Sequence, residues 1–251
     1  MTDQAREHKR LVARVRCWYA PRVPSIPEVL YRDEALIAVA KPSGWLVHRG
    51  WARDGEVLTD HVRRLTGQRT VHPIHRLDRG TSGVVLFALD PETARALNAA
   101  FEQGRVAKRY LALVRGTPPD EGVIDHPIRR GRSHDRVDAV TAYRRLATVD
   151  AEPRTLSLVE ARPRTGRLHQ IRRHLKHLGH PVIGDSNYGR TELNRAVAEE
   201  YGLRRLALHA MSLEAPHPTT GQPLPLQAPP PRDLEEPLTR MGFLLASFTE
   251  I

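Results

Sequence analysis

The stretch HRLDRGTSGVVLFALDPETARALNAAFEQG, residues 75–104, carries three readings in succession. Its middle, Gly83 to Leu89 (GVVLFAL), is a continuous apolar run of strand length and reads as a strand buried inside a sheet. Asp90-Pro91 then opens a helix, with an N-cap aspartate, a proline in the first turn, Leu97 and Phe101 four apart, and Gly104 to stop it. Ahead of the strand, His75-Arg76-Leu77-Asp78-Arg79-Gly80-Thr81-Ser82-Gly83 sets one carboxylate between two arginines, with small turn-forming residues behind it. A carboxylate in that setting is held ionised by the surrounding positive charge, as a nucleophile or base requires. An aspartate that only caps a turn reads from the same residues.

Working outward, VLYRDEALIAVA (Val29 to Ala40) predicts two short strands around an acidic turn, ending at Lys41-Pro42-Ser43-Gly44. Val57 to Leu65 predicts a short helix ended by Gly67. Strands are expected at Tyr110 to Val114, Val137 to Val149, Thr155 to Ala161 and Arg204 to Glu214, and a helix at Leu168 to Leu178. The last 36 residues hold 8 of the 20 prolines, which predicts an irregular tail with one short helix near Leu234 to Met241. Residues 1–27 are basic, then punctuated by Pro21, Pro24 and Pro27, and read as a loosely packed lead-in to one domain spanning 28–251. Strands outnumber helices and rarely alternate with them strictly. The expected class is therefore α+β with a mixed or antiparallel sheet, rather than a doubly wound fold.

The 251 residues include 39 Lys plus Arg against 29 Asp plus Glu, a formal charge of +10. Such an excess favours an anionic partner such as nucleic acid. Of the 39 basic residues 35 are Arg, a skew that genome composition explains as well as function does, so the clustering of charge has to decide. A single cysteine, Cys17, excludes an internal disulfide and a Cys-built zinc site. The longest apolar run, Gly83 to Leu89, is too short to span a membrane, and Met1 to Arg10 leads into no signal-peptide core. A cytoplasmic protein without membrane contact is expected.

Charge clusters most strongly around Arg164-Thr165-Gly166-Arg167-Leu168-His169-Gln170-Ile171-Arg172-Arg173-His174. Between Ala161 and Gly184 there are six Lys or Arg, four His and no acid. Helical spacing puts Leu168, Ile171 and Leu175 on one face with Arg172 beside them, while Arg173, Lys176 and His177 point elsewhere. An arginine on an apolar face cannot shed its charge and needs a buried carboxylate, for which Asp78 is the candidate; the alternative is that Arg172 snorkels to water. His169, His174, His177 and His180 lack the HExxH spacing and any carboxylate among them, so no metal site is expected. GxGxxG, GxxxxGK[ST] and GxSxG are absent, which leaves nucleotide cofactors and a serine hydrolase without support. In Lys108-Arg109-Tyr110-Leu111-Ala112-Leu113-Val114-Arg115-Gly116, a tyrosine opening an apolar strand can offer a ring for base stacking and a hydroxyl for proton transfer, or simply fill the core.

Taken together, these segments resemble the RluA-type pseudouridine synthases. HRLDRGTSG matches that family's catalytic-aspartate motif, KRYLALVRG its tyrosine motif, RTGRLHQIRRHL…LGHPVIGDSNYG its arginine motif, and RLALHAMSL followed by HPTTG its closing strand. The resemblance runs from Leu30 to about Leu226. It implies an α+β fold on a long mixed, largely antiparallel sheet with flanking helices and a central active cleft. It also implies an isomerase that turns a uridine of RNA into pseudouridine without metal or organic cofactor. By motif position Asp78 is the nucleophile, Tyr110 the stacking residue and proton acceptor, and Arg172 the salt-bridge partner of Asp78. Arg76 fills the space left by the flipped base, and Leu208 packs under the Tyr110 ring. RNA contacts are expected from Arg79, Arg164, Arg167, His169 and Arg173, with the 129–136 stretch (RRGRSHDR) tracking phosphates.

GWLVHRGW and GDSNYGRTELNR are similar to the branch acting on tRNA at position 65. Ribosomal RNA is the alternative substrate, although residues 1–27 are too few for the S4-type domain that rRNA-modifying members often carry. A monomer is expected. Two readings from other classes remain. An RNA-binding protein without chemistry would need a broken carboxylate motif, and Asp78 is intact. A hydrolase would need a second acid or metal ligands beside Asp78, where His75 and Arg79 stand instead.

Overall fold

The computed structural model describes residues 26–50, 54–130 and 134–244. The lead-in expected over residues 1–27 therefore lies almost wholly outside the described residues, as does the centre of the 129–136 stretch. Strands β1 (Glu28–Arg32) and β2 (Leu36–Lys41) form the expected hairpin, whose turn is built by Asp33 accepting the N–H groups of Ala35 and Leu36 at 2.8 Å. Helix α1 (Leu58–Thr66) ends where Gly67 takes a φ of 71°, a left-handed conformation that glycine adopts at little cost. β3 (His72–Pro73) and β4 (Ser82–Ala88) follow, and all of β4 is buried. The Asp90 carboxylate then accepts the N–H groups of Glu92 and Thr93, both at 2.8 Å, and starts α2 (Pro91–Glu102) as its position predicts.

The second half begins with β5 (Ala107–Arg115), β6 (Glu121–Asp125) and a small separate hairpin of β7 (Ile128–Arg129) and β8 (Arg136–Val137). Long strands β9 (Val140–Ala151) and β10 (Arg154–Pro163) lead to α3 (Gln170–His177) and α4 (Thr191–Tyr201). The chain closes with β11 (Leu208–Pro216), β12 (Pro223–Gln227) and α5 (Arg232–Arg240). Ten strands make one sheet in the order β1-β2-β4-β11-β5-β10-β9-β6, with β12 beside β11 and β3 beside β4. Its ladders are antiparallel except β4–β11, a parallel contact of two residue pairs, Ser82 with His209 and Gly83 with Ala210. The expected α+β class with a mixed, largely antiparallel sheet is the class observed.

Three apolar clusters hold the sheet. One, with Leu111, Leu158, Leu175, Val197 and Leu238, lies between the β5–β10–β9 half and helices α3 to α5. The other two use alternate residues of β2 and β4: Leu36 and Leu86 pack with Leu97 of α2, while Ile37, Val85 and Phe87 pack with Leu58 of α1. Tyr110 touches both the first cluster and the α1 cluster, so its ring spans the seam between the halves.

Several expectations shift. Helical spacing predicts Leu168 on the apolar face of the helix, yet α3 begins two residues later and Leu168 is 49% exposed. The reason is His169, whose φ of 54° turns the chain into the helix. The proline-rich tail contains β12, in which Pro223 and Pro225 alternate with buried Leu224 and Leu226; the strand pairs only with β11, so missing proline N–H groups cost little. Helix α4 escapes the reading because it buries only Val197 and Ala198 and has no side-chain N-cap.

The parallel contact depends on one glycine. A Cβ on Gly83, which has a φ of 117°, would stand 2.1 Å from the Ala210 carbonyl oxygen. Gly83→Ala should therefore cost more than about 2 kcal/mol or prevent folding, whereas Gly166→Ala, with nothing within 4 Å, should stay within about 0.5 kcal/mol of wild type. Urea denaturation of both variants checks this, and equal stability would contradict it.

Candidate active site

Asp78 sits in the loop before β4, and the turn after β2 holds that loop from below. Lys41, 1% exposed, donates from Nζ to the carbonyls of Trp45 (2.7 Å), Pro42 (3.0 Å) and Arg79 (3.2 Å). The Gly44 N–H also donates to the Arg79 carbonyl at 2.7 Å, and Ser43 Oγ donates to the Gly80 carbonyl at 2.8 Å. The KPSG turn thus fixes both residues that follow Asp78. Thr81 N–H closes the loop onto the Asp78 carbonyl at 3.0 Å.

From the other half of the sheet, α3 brings Arg172 to the same place. Arg172 Nη1 donates to Asp78 Oδ2 at 2.9 Å, the pair expected from helical spacing. The guanidinium has a second carboxylate that helical spacing does not reveal: Nε and Nη2 donate to the two oxygens of Asp185 at 2.7 and 2.8 Å. Asp185, with no exposed side-chain surface, also accepts the N–H groups of Asn187 (2.9 Å) and Tyr188 (3.0 Å). Burial works against its charge, but Arg172 and these two N–H groups hold its carboxyl below the usual range. Burial opposes the Arg172 charge too, and the two carboxylates outweigh it and raise the guanidinium further. A signal for Asp185 did exist: it is the first acid after the acid-free basic run from Ala161 to Gly184.

His169 closes the group. Its Nε2 is 3.7 Å from Asp78 Oδ1 and its Nδ1 is 3.1 Å from the Tyr188 hydroxyl. Among the described residues it is the only non-glycine with a left-handed φ, a strain of roughly 1–3 kcal/mol that the surroundings must hold. Burial, Arg172 and Arg173 lower its imidazole while Asp78 and Asp185 raise it, and lowering prevails. The Tyr188 ring lies 5.2 Å under the Arg172 guanidinium. Gln170 ties the loop to the sheet, donating to Val140 O and Thr141 Oγ1 (both 3.0 Å) and accepting from Thr165 Oγ1 (2.7 Å) and Arg167 N (3.0 Å). Lys41, Gln170 and Tyr188 carry no such signal in the chain, because a buried polar residue is visible only once its surroundings are.

Tyr110, on β5, reaches Asp78 electrically: burial first, and then the Asp78 charge, push its phenol well above the ordinary value. Its direct cross-strand neighbour is Ala210; Leu208, 4% exposed, is opposite Ala112 and one diagonal step away in the same apolar cluster. Arg76 is exposed and makes no hydrogen bond or ion pair among the described residues. Arg79 acts as a strut, donating to Gly44 O at 3.1 Å and to Asp54 at 3.2 Å. Arg164 and Arg167 are exposed on the turn before α3, and Arg173 turns away from Asp78 to the Arg129 carbonyl at 2.8 Å. Both nitrogens of His174 are engaged, by Thr141 Oγ1 (2.9 Å) and His126 O (3.0 Å).

Two outcomes test this geometry. Arg172→Met strands Asp185 and Asp78 as unpaired carboxylates and should cost about 3–5 kcal/mol in urea denaturation, and a loss below about 1 kcal/mol would contradict the pairing. Lys41 gives a pH test. Burial, with Arg205 and Arg79, brings its ammonium down to about 7 against the pull of Asp78, whereas an unfolded lysine titrates near 10.5. The unfolded chain therefore binds the extra proton between those values, and stability should rise with pH across that window. Lys41→Met should flatten the rise between about pH 7.5 and 9.5 while lowering stability overall; an unchanged slope would contradict the assignment.

A family model described as RNA pseudouridylate synthase matches residues 35–177. A tRNA pseudouridine synthase C from Salmonella typhimurium is 47% identical over 235 residues, covering 86% of this chain and 90% of that protein. The protein of the same name from Haemophilus ducreyi is 45% identical over 219 residues, covering 80% of this chain and 90% of its own length. Among solved structures, human RNA pseudouridylate synthase domain containing 4 superposes with a TM-score of 0.69 at 28% identity, covering 85% of this chain and 92% of that one. The family match spans the Asp78 loop, Tyr110 and Arg172 alike, and the chain belongs to the RluA-type RNA pseudouridylate synthases.

Proposed function

We propose that this protein isomerises a uridine of tRNA to pseudouridine, at position 65, with Asp78 as the nucleophile. The observation that carries the site assignment is the Asp78 carboxylate at the sheet seam, tied through one oxygen to Arg172 and, among the described residues, without a hydrogen bond at the other, which lies 3.7 Å from His169 Nε2. The relatives named tRNA pseudouridine synthase C support tRNA as the substrate. Position 65 rests on the similarity of GWLVHRGW and GDSNYGRTELNR to the branch acting there.

The target base must leave its stack to reach the partly buried Asp78 carboxylate, and cationic or apolar side chains then fill the gap. Arg76, exposed and uncommitted, is the residue for that work. Asp78 attacks the substrate and the N-glycosidic bond breaks; the uracil turns and bonds to the sugar through C5, and the bond to Asp78 breaks to free its carboxylate. The proton on C5 is lost and N1 gains one, so the product is an isomer and no co-reactant is needed. Tyr110 meets the base as a neutral phenol, a ring to stack on. It can accept a proton only as phenolate, which the Asp78 charge opposes until that carboxylate has bonded to substrate. The exposed cations Arg164 and Arg167 and the half-buried Arg173 are placed to contact phosphates, which position an RNA without reading it.

Asp78→Asn keeps size and polarity but removes the nucleophilic charge. It should bind tRNA transcript within about threefold of wild type yet leave less than about 1% of pseudouridine formation, by site mapping of the product. Turnover above a few percent would remove Asp78 as nucleophile, and wild-type product at a uridine other than 65 would remove the position. Arg76→Ala should melt within about 0.5 kcal/mol of wild type yet process tRNA poorly in single-turnover assays.

A further inference from the structure

The face of α3 turned away from Asp78 carries a second cluster with no part in the chemistry above. His126, in the loop after β6, stacks on His177 with ring centroids 3.7 Å apart and planes 13° from parallel. Arg136 of β8 lies against the pair, its Nη1 3.5 Å from His126 Nε2 and donating to the Pro127 carbonyl at 3.2 Å. Arg173, one helical turn before His177, is held alongside by its bond to the Arg129 carbonyl. Behind them, buried His174 keeps His126 in place. His174 Nε2–H donates to the His126 carbonyl, which can only accept, and burial lowers the imidazole, so Nδ1 accepts from the Thr141 hydroxyl. That ring is thereby neutral and structural. Lys176 points to the other side, over the Tyr188 ring at 5.8 Å.

The cluster is short of negative charge. Among the described residues no carboxylate pairs with His126, His177, Arg136 or Arg173. Partial burial, His177, Arg136 and Arg173 all push the His126 imidazole below its ordinary range, and nothing pulls it up. A proton on His126 would face its stacked neighbour and two guanidiniums with no anion between them, and like charges at that spacing repel. Once an anion arrives the balance inverts. Each ring becomes a charge-assisted donor beside the fork of an arginine, the arrangement that suits the two free oxygens of a phosphodiester.

We propose that His126, His177, Arg136 and Arg173 form a seat for one phosphodiester of the RNA substrate, and that its occupation is linked to proton uptake by the stacked imidazoles. This rests on the reading of the protein as an RNA-modifying enzyme. Arg172 and Arg173 are adjacent in the chain and face opposite ways, one to the nucleophile and one to the seat. A strand gripped at the seat is thereby registered against Asp78 through a single rigid helix. Because an anion at the seat favours the protonated form of the imidazole beside it, affinity must increase as pH falls.

The test is fluorescence-anisotropy titration of an unmodified tRNA transcript with the full-length protein at about pH 6 and 8 and at two salt concentrations. Wild type should bind about tenfold tighter at the lower pH. His126→Gln and His177→Gln should each shrink that gap to less than about threefold while staying within about threefold of wild type at the higher pH. Arg173→Gln should weaken binding at both pH values and reduce the salt slope by about one. The seat is overturned by a wild type whose affinity does not change with pH, or by histidine variants that keep the full gap. Pseudouridine formation by wild type, assayed in parallel, tests the underlying reading separately. Its absence would overturn the proposed activity while the binding data still judged the seat.

Discussion

One guanidinium between two carboxylates organises the centre of this molecule. Arg172 meets Asp185 through two parallel hydrogen bonds and Asp78 through a third, so all three directions of its fork are used. Asp185 comes first in this order, because it is fully buried and fixed independently by the N–H groups of Asn187 and Tyr188. It positions Arg172, and Arg172 positions Asp78. A lysine could not replace the arginine, since a point charge on a flexible stem supplies neither the parallel pair nor the third direction. One guanidinium shared between two carboxylates leaves Asp78 held through a single hydrogen bond, while Asp185 takes the parallel pair.

The same loop is fixed from the sheet side by a chain of buried polar groups. Arg205 donates to Asp233 at 2.9 Å and to Ser82 Oγ at 2.6 Å, and Ser82 lies 2.7 Å from His209 Nδ1. His209 Nε2 is 2.9 Å from the Ala228 carbonyl, which accepts only from an N–H, so Nδ1 is the acceptor and Ser82 donates to it. Burial accordingly brings His209 down to about 4, and it stays neutral. The chain links α5 and the end of β12 to the parallel β4–β11 contact, where the two halves of the sheet meet next to Asp78. A partly satisfied network there would loosen the Asp78 loop. This one is satisfied at every listener: each acceptor named has its donor.

Around this rigid centre the cations divide by what they already hold. Arg79 is spent on Gly44 and Asp54, and Arg109 and Arg162 on the buried Glu160. Arg76 carries no such commitment. A guanidinium that is a structural strut has little left for a ligand, so the excess of positive charge overstates the surface open to RNA, and position decides which arginines matter.

The residues themselves determined the elements whose signals are local. The Asp90 cap, the Gly67 stop, the fully buried β4 and the buried face of α3 each follow from spacing and backbone chemistry within a few residues, and they stand where the chain predicts them. So does the pairing of Arg172 with Asp78, because a charge that cannot be shed on an apolar face demands an opposite one. Only the tertiary structure decided that Arg172 needs two carboxylates, that Lys41 is buried under the Asp78 loop, and that Leu168 is exposed ahead of a left-handed His169. Each of these depends on which segments meet across the sheet: β2 and β4 antiparallel, β4 and β11 parallel, and α3 laid over their seam. Hydrogen-bond partners that lie 38 to 94 residues apart, as Lys41 with Arg79 and Asp78 with Arg172 do, leave no periodic trace in the chain. Their cost and benefit are set by burial, and burial belongs to the folded molecule.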